Sequence, residues 1–385
     1  MKPCRLPRLQ RKMVISMFGN IENKRILSND NLADKARRML DSALNVNESS
    51  ASHAYNVIFS LENGYFDVVF NVPTSFALDS NLHNQIQKIL IGGFYPLLLI
   101  YSSNAPEIVA TGSGDFSTAR AFRYRFKVGQ FQRLRFKNLD EPKMIGSKIK
   151  LMGGYSFDLY GASGMVALSG ASGNGKTALL CYLLASVLNS MPSADVKIID
   201  PKLDSALHNF AKTRNLDYIS PSGNMNDFMN DVQSVLSQAI DEIHRRQNEV
   251  IKTGKLTEPP MIIALDEAMA VGASITENKA VKQYQALITQ ITLMGRSARV
   301  FLFTSAQTFD ASSVMNSSAR DQMSLKIVLS ANPTANDCRF LFKDFDPSTT
   351  VVNHDGFSKG LGLASTQPDN RVVPFMAPFI EDFGG

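Results

Sequence analysis

The chain has 385 residues, 44% hydrophobic and 19% charged, with 16 Pro, 3 Cys and no Trp; this provides for two or three domains with buried cores and excludes a collagen-like, disulfide-stapled or mainly disordered chain. Cys4, Cys181 and Cys338 are widely spaced and odd in number, so they make neither a disulfide framework nor a metal-ligand pattern and fit a reduced compartment. The net charge of +5 is uneven: residues 1–150 carry 21 Lys and Arg against 12 Asp and Glu, and the remainder 19 against 23, which leaves a polyanionic partner open.

Residues 1–50 are polar and basic, and the four-residue spacing of Leu32, Ala36, Leu40 and Leu44 predicts a helix over 31–44. No apolar segment with a small-residue cleavage site follows the basic start, so no cleaved leader is expected. Strands are predicted at 57–61 and 66–70, joined through Asn63-Gly64 as a hairpin. A short helix at 82–90 and strands at 97–100 and 107–110 complete a small α+β domain. The longest apolar run, 89–101, is interrupted by Gly92, Gly93 and Pro96 and falls short of the roughly 20 residues of a membrane span.

Within 120–137, Phe122, Tyr124, Phe126 and Val128 alternate with Arg123, Arg125 and Lys127; after a turn near Gly129, Leu134 and Phe136 alternate with Arg133, Arg135 and Lys137. Period-two alternation predicts a hairpin with aromatics on one face and six cations on the other. Such a face is either a solvated sheet surface, a contact for nucleic-acid phosphates, or a contact for an anionic membrane.

From about residue 145 short apolar strands alternate with helices. Strands are predicted at 165–168, 196–199, 261–265, 300–304 and 326–329, with helices including 178–188 and 228–251; this grammar implies a parallel sheet covered on both faces. Gly170-Ala171-Ser172-Gly173-Asn174-Gly175-Lys176-Thr177 matches the phosphate-binding loop G-x-x-x-x-G-K-[ST] between such a strand and such a helix. Its backbone N–H groups and the helix N-terminus would cradle the phosphates of ATP, Lys176 would neutralise β- and γ-phosphate charge, and Thr177 would ligate Mg²⁺. About 90 residues on, the strand 261–265 ends in Asp266-Glu267. Asp266 suits the Mg²⁺ shell and Glu267 the polarisation of attacking water. The strand after that runs into Ser305-Ala306-Gln307, a polar tip suited to sensing the γ-phosphate. The histidines at 53, 83, 208, 244 and 354 show no metal spacing, and neither G-x-S-x-G nor H-E-x-x-H occurs. Cys181, one turn past the loop, reads as a small core residue.

Several stretches together resemble the FtsK/SpoIIIE-type DNA translocases of the HerA–FtsK superfamily. Ile199-Asp200-Pro201-Lys202 looks like that family's D-P-K, Asp241 to Arg246 like its E-M-E-R-R helix, and Ala264 to Ala268 like its Walker B strand. Gly295 to Arg299, followed by Phe301 to Gln307, is similar to its A-R-A-x-G-I-H-L-I-L-A-T-Q block, and Asp337-Cys338-Arg339 and 359–363 to its D-S-R and G-x-G-D-M-L segments. The resemblance covers about 145–365 in the family's order. It implies an α/β, RecA-like core in which an additional strand separates the phosphate-loop and Walker B strands. It also implies a ring, usually hexameric, around double-stranded DNA, with ATP between subunits and a neighbour's arginine completing the site. Arg296 matches the family's A-R-A arginine, Arg299 is a second candidate, and Gln307 matches its strand-end glutamine.

On this reading the chain divides into a basic segment with a helix (1–54), an accessory α+β domain (55–144) and an ATPase domain (145–385). It is expected to be cytoplasmic, with any recruitment to the membrane left to a partner. The family's T-Q-R-P reads Ala306-Gln307-Thr308-Phe309 here, an acid is lost after Gly362, and 22 residues follow Leu363, too few for a winged-helix domain. Short members of this kind serve the transfer or replication of plasmids, phages and integrative elements, which makes a relaxase or replication initiator the expected partner. The alternative within the same superfamily is a protein-secretion motor of the type VII kind.

Overall fold

The computed structural model describes residues 27–44, 55–71, 78–103, 105–221, 223, 225–273, 278–311, 314–350 and 359–383. Cys4, His53, His354 and the basic stretch before residue 27 lie outside these. The chain divides into two compact units, Met1–Gln130 with Ser348–Val351, and Phe131–Pro347 with Val352–Gly385.

Among the described residues, the first unit is an antiparallel sheet with two helices. Its strands are β1 (Tyr55–Ser60), β2 (Tyr65–Phe70), β3 (Leu98–Ile100), β4 (Glu107–Ala110) and β5 (Arg120–Val128), in the order β1-β2-β5-β3, with β4 also pairing β5. The β1–β2 hairpin closes at the predicted Asn63-Gly64, where Gly64 takes φ +67° and any Cβ would stand 2.9 Å from the carbonyl oxygen of Phe126. Helices Asn29–Leu44 and Ser80–Phe94 share one core with the sheet, built on Leu32, Leu40, Phe59, Phe66, Phe94 and Phe122. Asp79 starts the second helix by accepting the N–H of Leu82, and Tyr95, extended before Pro96, ends it.

The expected cationic hairpin at 120–137 does not form. β5 pairs with β2, β3 and β4, whereas β6 (Arg135–Phe136) lies in the second unit and pairs in parallel with β17 (Phe379–Ile380). Alternation marks the two faces of a strand but carries no information on which strand lies beside it. Two of the cations of β5 are matched by carboxylates of neighbouring strands. Arg123 grips Asp67 through two bonds, Nε to Oδ1 at 2.8 Å and Nη2 to Oδ2 at 2.7 Å, and its guanidinium lies 3.7 Å over the Tyr65 ring. Arg125 grips Glu107 likewise, at 3.0 and 2.6 Å. Lys127 donates to the carbonyl of Gln130 at 3.2 Å, and burial lowers its pKa.

The second unit holds β7 (Lys148–Met152) and β8 (Tyr155–Asp158), which form a hairpin, and an eight-stranded sheet. That sheet comprises β9 (Val166–Gly170), β10 (Asp195–Ile199), β11 (Asp217–Ile219), β12 (Met261–Leu265), β13 (Val300–Ala306), β14 (Leu325–Leu329), β15 (Leu361–Thr366) and β16 (Val373–Met376), in the order β11-β10-β12-β13-β9-β14-β15-β16. Pairing is parallel from β11 to β14 and antiparallel beyond. The additional strand implied by the resemblance is β13, which stands between β9, the strand that leads into the glycine loop, and β12, the strand that ends before Asp266-Glu267. β9, β12 and β13 are buried along their whole lengths, so they read as unbroken apolar runs.

Helix Lys176–Leu188 is apolar all round because nearly every side chain in it is buried. Helix Met225–Thr253 buries one stripe, Phe228, Val232, Leu236, Ala239 and Ile243, and packs on helix Asn278–Ala298. That second helix approaches β13 so closely at its end that a Cβ on Gly295 would stand 2.1 Å from the carbonyl oxygen of Val300. β15 and β16 were not expected as strands, and β11 is only three residues long.

Candidate functional site

In the parallel part of the sheet, the carboxyl ends of β9, β10, β12 and β13 deliver their following residues to one rim, the usual place for a site in such sheets. After β9 the chain turns through Gly170 (φ +154°), Gly173 (φ +83°) and Gly175 (φ +94°), conformations that L side chains resist. A Cβ on Gly170 would also stand 2.6 Å from the carbonyl oxygen of Leu329. Asn174 anchors the loop, donating from Nδ2 to the Leu329 carbonyl at 2.7 Å and accepting the N–H of Gly360 at 3.2 Å. Gly175 caps helix Lys176–Leu188, so the helix N-terminus and the loop point the same way.

Lys176 folds back over the loop, its Nζ 2.8 Å from the carbonyl of Gly170 and 3.3 Å from that of Ala171. Burial lowers its pKa, opposed by the charges of Glu267 and Asp266. Thr177 follows, and its hydroxyl donates to Asp266 Oδ2 at 3.3 Å. Two residues 89 positions apart in sequence thus meet as neighbours. The other oxygen of Asp266 accepts the hydroxyl of Ser305, at the end of β13. Burial pushes the Asp266 pKa up against that bond, and the charges of Asp200 and Glu267 push it the same way.

Glu267 is 5% exposed and held at φ +45°. Its own N–H donates to Ser305 Oγ at 3.1 Å, and its Oε1 accepts the N–H of Gln307 at 3.1 Å. Its Oε2 lies 2.9 Å from Lys202 Nζ and 3.8 Å from Lys176 Nζ. Gln307 therefore enters the site by its backbone, while its side chain is exposed. Its carbonyl accepts from Ser169 Oγ at 3.0 Å, tying the tip of β13 to that of β9.

The oxygen donors Thr177 and Asp266 form a hard donor set. Asp266 lies buried with further carboxylates nearby, an unfavourable concentration of negative charge that a divalent cation would offset, so the residues fit Mg²⁺.

Two residues whose parts were not evident from sequence acquire them here. Asp200, fully buried, accepts the N–H groups of Lys202 at 2.9 Å and Asp204 at 2.7 Å and the hydroxyl of Tyr218 at 2.7 Å. The turn so fixed puts Lys202 on Glu267. Ser305 bridges Asp266 and Glu267, whereas the sequence marked only a polar strand tip. The family-like helix around Glu242 to Arg246 is a strut: buried Arg246 bonds Glu242 at 2.6 Å, the carbonyl of Pro259 at 2.8 Å and that of Ala298 at 3.1 Å, which lead into β12 and β13.

Arg296 is exposed at the end of helix Asn278–Ala298, before β13 begins. Seven residues of strand separate it from Gln307, roughly 20 Å, so it stands at the opposite rim from Lys176. Arg299 is engaged in its own chain, donating to the carbonyl of Glu258 at 3.1 Å and lying 4.9 Å over the Tyr160 ring. The remaining basic positions are dispersed: Arg133 donates to the carbonyls of Ala377 at 2.7 Å and Lys359 at 3.3 Å, Arg135 lies 5.7 Å from the Phe379 ring centre, and Lys137 is exposed. Among the described residues no helix is long and apolar enough to cross a membrane.

No family model and no curated protein sequence matches the chain. Among solved structures it is similar to the pCW3 conjugation coupling protein TcpA, in its monomer form with ATPγS, at a TM-score of 0.50 and 14% identity over 91% of this chain and 95% of that one. It is also similar to the cytoplasmic domain of the type VII secretion ATPase EccC of Thermomonospora curvata (TM-score 0.44, 16% identity, 64% of this chain and 30% of that one). ATPases 2 and 3 of EssC from Geobacillus thermodenitrificans follow at 0.48, 15%, 66% and 47%. The first likeness spans nearly the whole of both chains, and at this identity it speaks for the fold. That fold is the expected one, an α/β, RecA-like core with an additional strand between β9 and β12.

Proposed function

We propose that the chain is an ATP-hydrolysing motor of the FtsK/SpoIIIE type that works as a ring on double-stranded DNA, in the transfer or replication of a mobile element. The observation that carries the ATPase half is the meeting of Thr177 with Asp266, and of Lys176 with Glu267, across a glycine loop at the mouth of a parallel sheet. The loop N–H groups and Lys176 bind the phosphates of ATP. Thr177 and Asp266 would hold Mg²⁺, which would supply neutralisation of phosphate charge when bound. Glu267, fixed through Oε1 by the N–H of Gln307, directs Oε2 at the attacking water and takes its proton.

Arg296 stands across the sheet from its own phosphate loop, so a finger role for it requires a neighbouring subunit, in keeping with a homo-hexamer. A groove of about 660 Å³, lined by Tyr160, Leu293, Arg296 and Arg299, lies beside it and offers a neighbour's nucleotide a cationic wall.

The DNA half of the reading is supported by the likeness in fold to a conjugation coupling protein over nearly its whole length, and by the basic N-terminal 150 residues. Contacts would be to phosphates and independent of base sequence. Because Arg123 and Arg125 are already matched by Asp67 and Glu107, and Arg133 bonds the carbonyls of Ala377 and Lys359, the contacts among the six candidates fall first to the exposed Lys137. A relaxase or replication initiator is the expected protein partner.

The test is ATP turnover by size-resolved protein with and without duplex DNA, across a salt series. DNA stimulation that falls steeply with salt supports the reading. Turnover indifferent to DNA and raised by a polypeptide would replace it with the secretion-motor alternative.

A further inference from the structure

Glu267 has no free carboxylate oxygen. Oε1 takes the N–H of Gln307, and Oε2 is 2.9 Å from the ammonium of Lys202. A group that is to receive a proton from water needs an oxygen open to it. The cation that covers this oxygen is not the phosphate-loop lysine, whose Nζ is 3.8 Å away and bonded to loop carbonyls.

Lys202 reaches Glu267 through a loop with a fixed backbone. Pro201 restricts one torsion, and Asp200 accepts the N–H of Lys202 and of Asp204 on its two oxygens. The hydroxyl of Tyr218 on β11 braces the same carboxylate at 2.7 Å. Leu203 takes φ +57°, and Asp204 then caps helix Ser205–Thr213 by accepting the N–H groups of Ala206 and Leu207. Only the lysine stem is left to move, and it is 45% exposed against 6% for the Glu267 side chain. A rigid base, a mobile stem and a buried target are the parts of a latch.

We propose that Lys202 is a restraining residue for Glu267: its ammonium occupies Oε2, and hydrolysis requires that pair to open. Anions competing for the ammonium open it, the oxygens of a bound triphosphate among them. The strand-ending Asp-Pro-Lys is thus a device for regulating turnover, with Asp200 and Tyr218 setting the position of the lysine. This rests on the ATPase reading of the same site.

The test compares Lys202→Met, Lys202→Arg and the native chain, each with and without Glu267→Gln. It measures ATP turnover without DNA, and ATPγS affinity by calorimetry. Lys202→Met is expected to raise DNA-free turnover about two- to fivefold, the factor belonging to a half-exposed ion pair, with ATPγS affinity within twofold. Lys202→Arg keeps the cation and should keep the native rate. In the Glu267→Gln background, Lys202→Met should change nothing. A Lys202→Met protein that binds ATPγS yet turns over at or below the native rate overturns the proposal, as does an equal rise in the Glu267→Gln background. Should Lys202→Met not bind ATPγS, Lys202→Gln is read by the same outcomes. Native turnover that survives Lys176→Ala, or is absent, overturns the ATPase reading itself and this proposal with it.

Discussion

Removing a single hydroxyl, with Ser305→Ala, separates the tertiary part of this site from its motifs. Ser305 is fully buried, donates to Asp266 and accepts the N–H of Glu267 at 3.1 Å. Its loss leaves one buried N–H without a partner and deprives a buried carboxylate of a donor, a cost of about 2–3 kcal/mol. For a unit of this size that corresponds to a fall in melting temperature of about 4–12 °C. The penalty should depend on pH. Asp266 already has a raised pKa through burial, and losing the bond to its ionised form raises it further. A raised carboxylate pKa is unfavourable to folding above the unfolded value and neutral below it, so the deficit should shrink as pH falls toward 4 and be complete above the raised folded value. At 25 °C, where the variant stays folded, the Mg²⁺ half-saturation of ATP turnover should rise about 10–100-fold, the usual effect of removing a group that orients a metal ligand. Calorimetric melting at pH 4 and pH 8 and an Mg²⁺ titration of turnover make the measurement. A native Mg²⁺ requirement, or a deficit that grows toward pH 4, would refute the placement of Ser305 between the two carboxylates.

Lys176→Ala should abolish turnover while leaving the melting temperature within a few degrees, since its ammonium bonds only loop carbonyls and faces Glu267; ATP turnover and calorimetry check this. Gly295→Ala puts a Cβ 2.1 Å from the Val300 carbonyl, so the helix must shift, at a cost of about 1–3 kcal/mol read by denaturant unfolding. Glu242, held at about 2 by Arg245 and then Arg246, contributes stability above the ordinary carboxylate range that is lost as pH falls from about 4.5 toward 2; Glu242→Gln should flatten that acid limb in melting curves. Lys137→Glu should lower duplex affinity and reduce the salt slope by about 0.9 for the DNA phosphate this side chain neutralises; an unchanged slope removes it from the DNA surface.

The glycine loop before helix Lys176–Leu188, the strand ending in Asp266-Glu267 and the alternation of strands and helices after residue 145 were legible without a structure. Each is a local constraint: glycines where φ must be positive, an apolar run where both sheet faces are covered, a carboxylate pair where a buried strand meets the rim. What the chain order could not reveal is which charges meet. The alternating cations of 120–137 suggested one face, yet Arg123 and Arg125 are matched by Asp67 and Glu107 from strands remote in sequence, and the strand of Arg135 pairs with Phe379–Ile380. The same holds at the site. The sequence marked Asp200 and Lys202 as a D-P-K likeness without a part to play and Ser305 as one residue of a polar strand tip, and only the side-by-side placement of β10, β12 and β13 sets them around Asp266 and Glu267. A motif identifies a residue by its neighbours along the backbone, but the electrostatic environment of a carboxylate is fixed by neighbours through space, and here those come from strands up to about a hundred residues away.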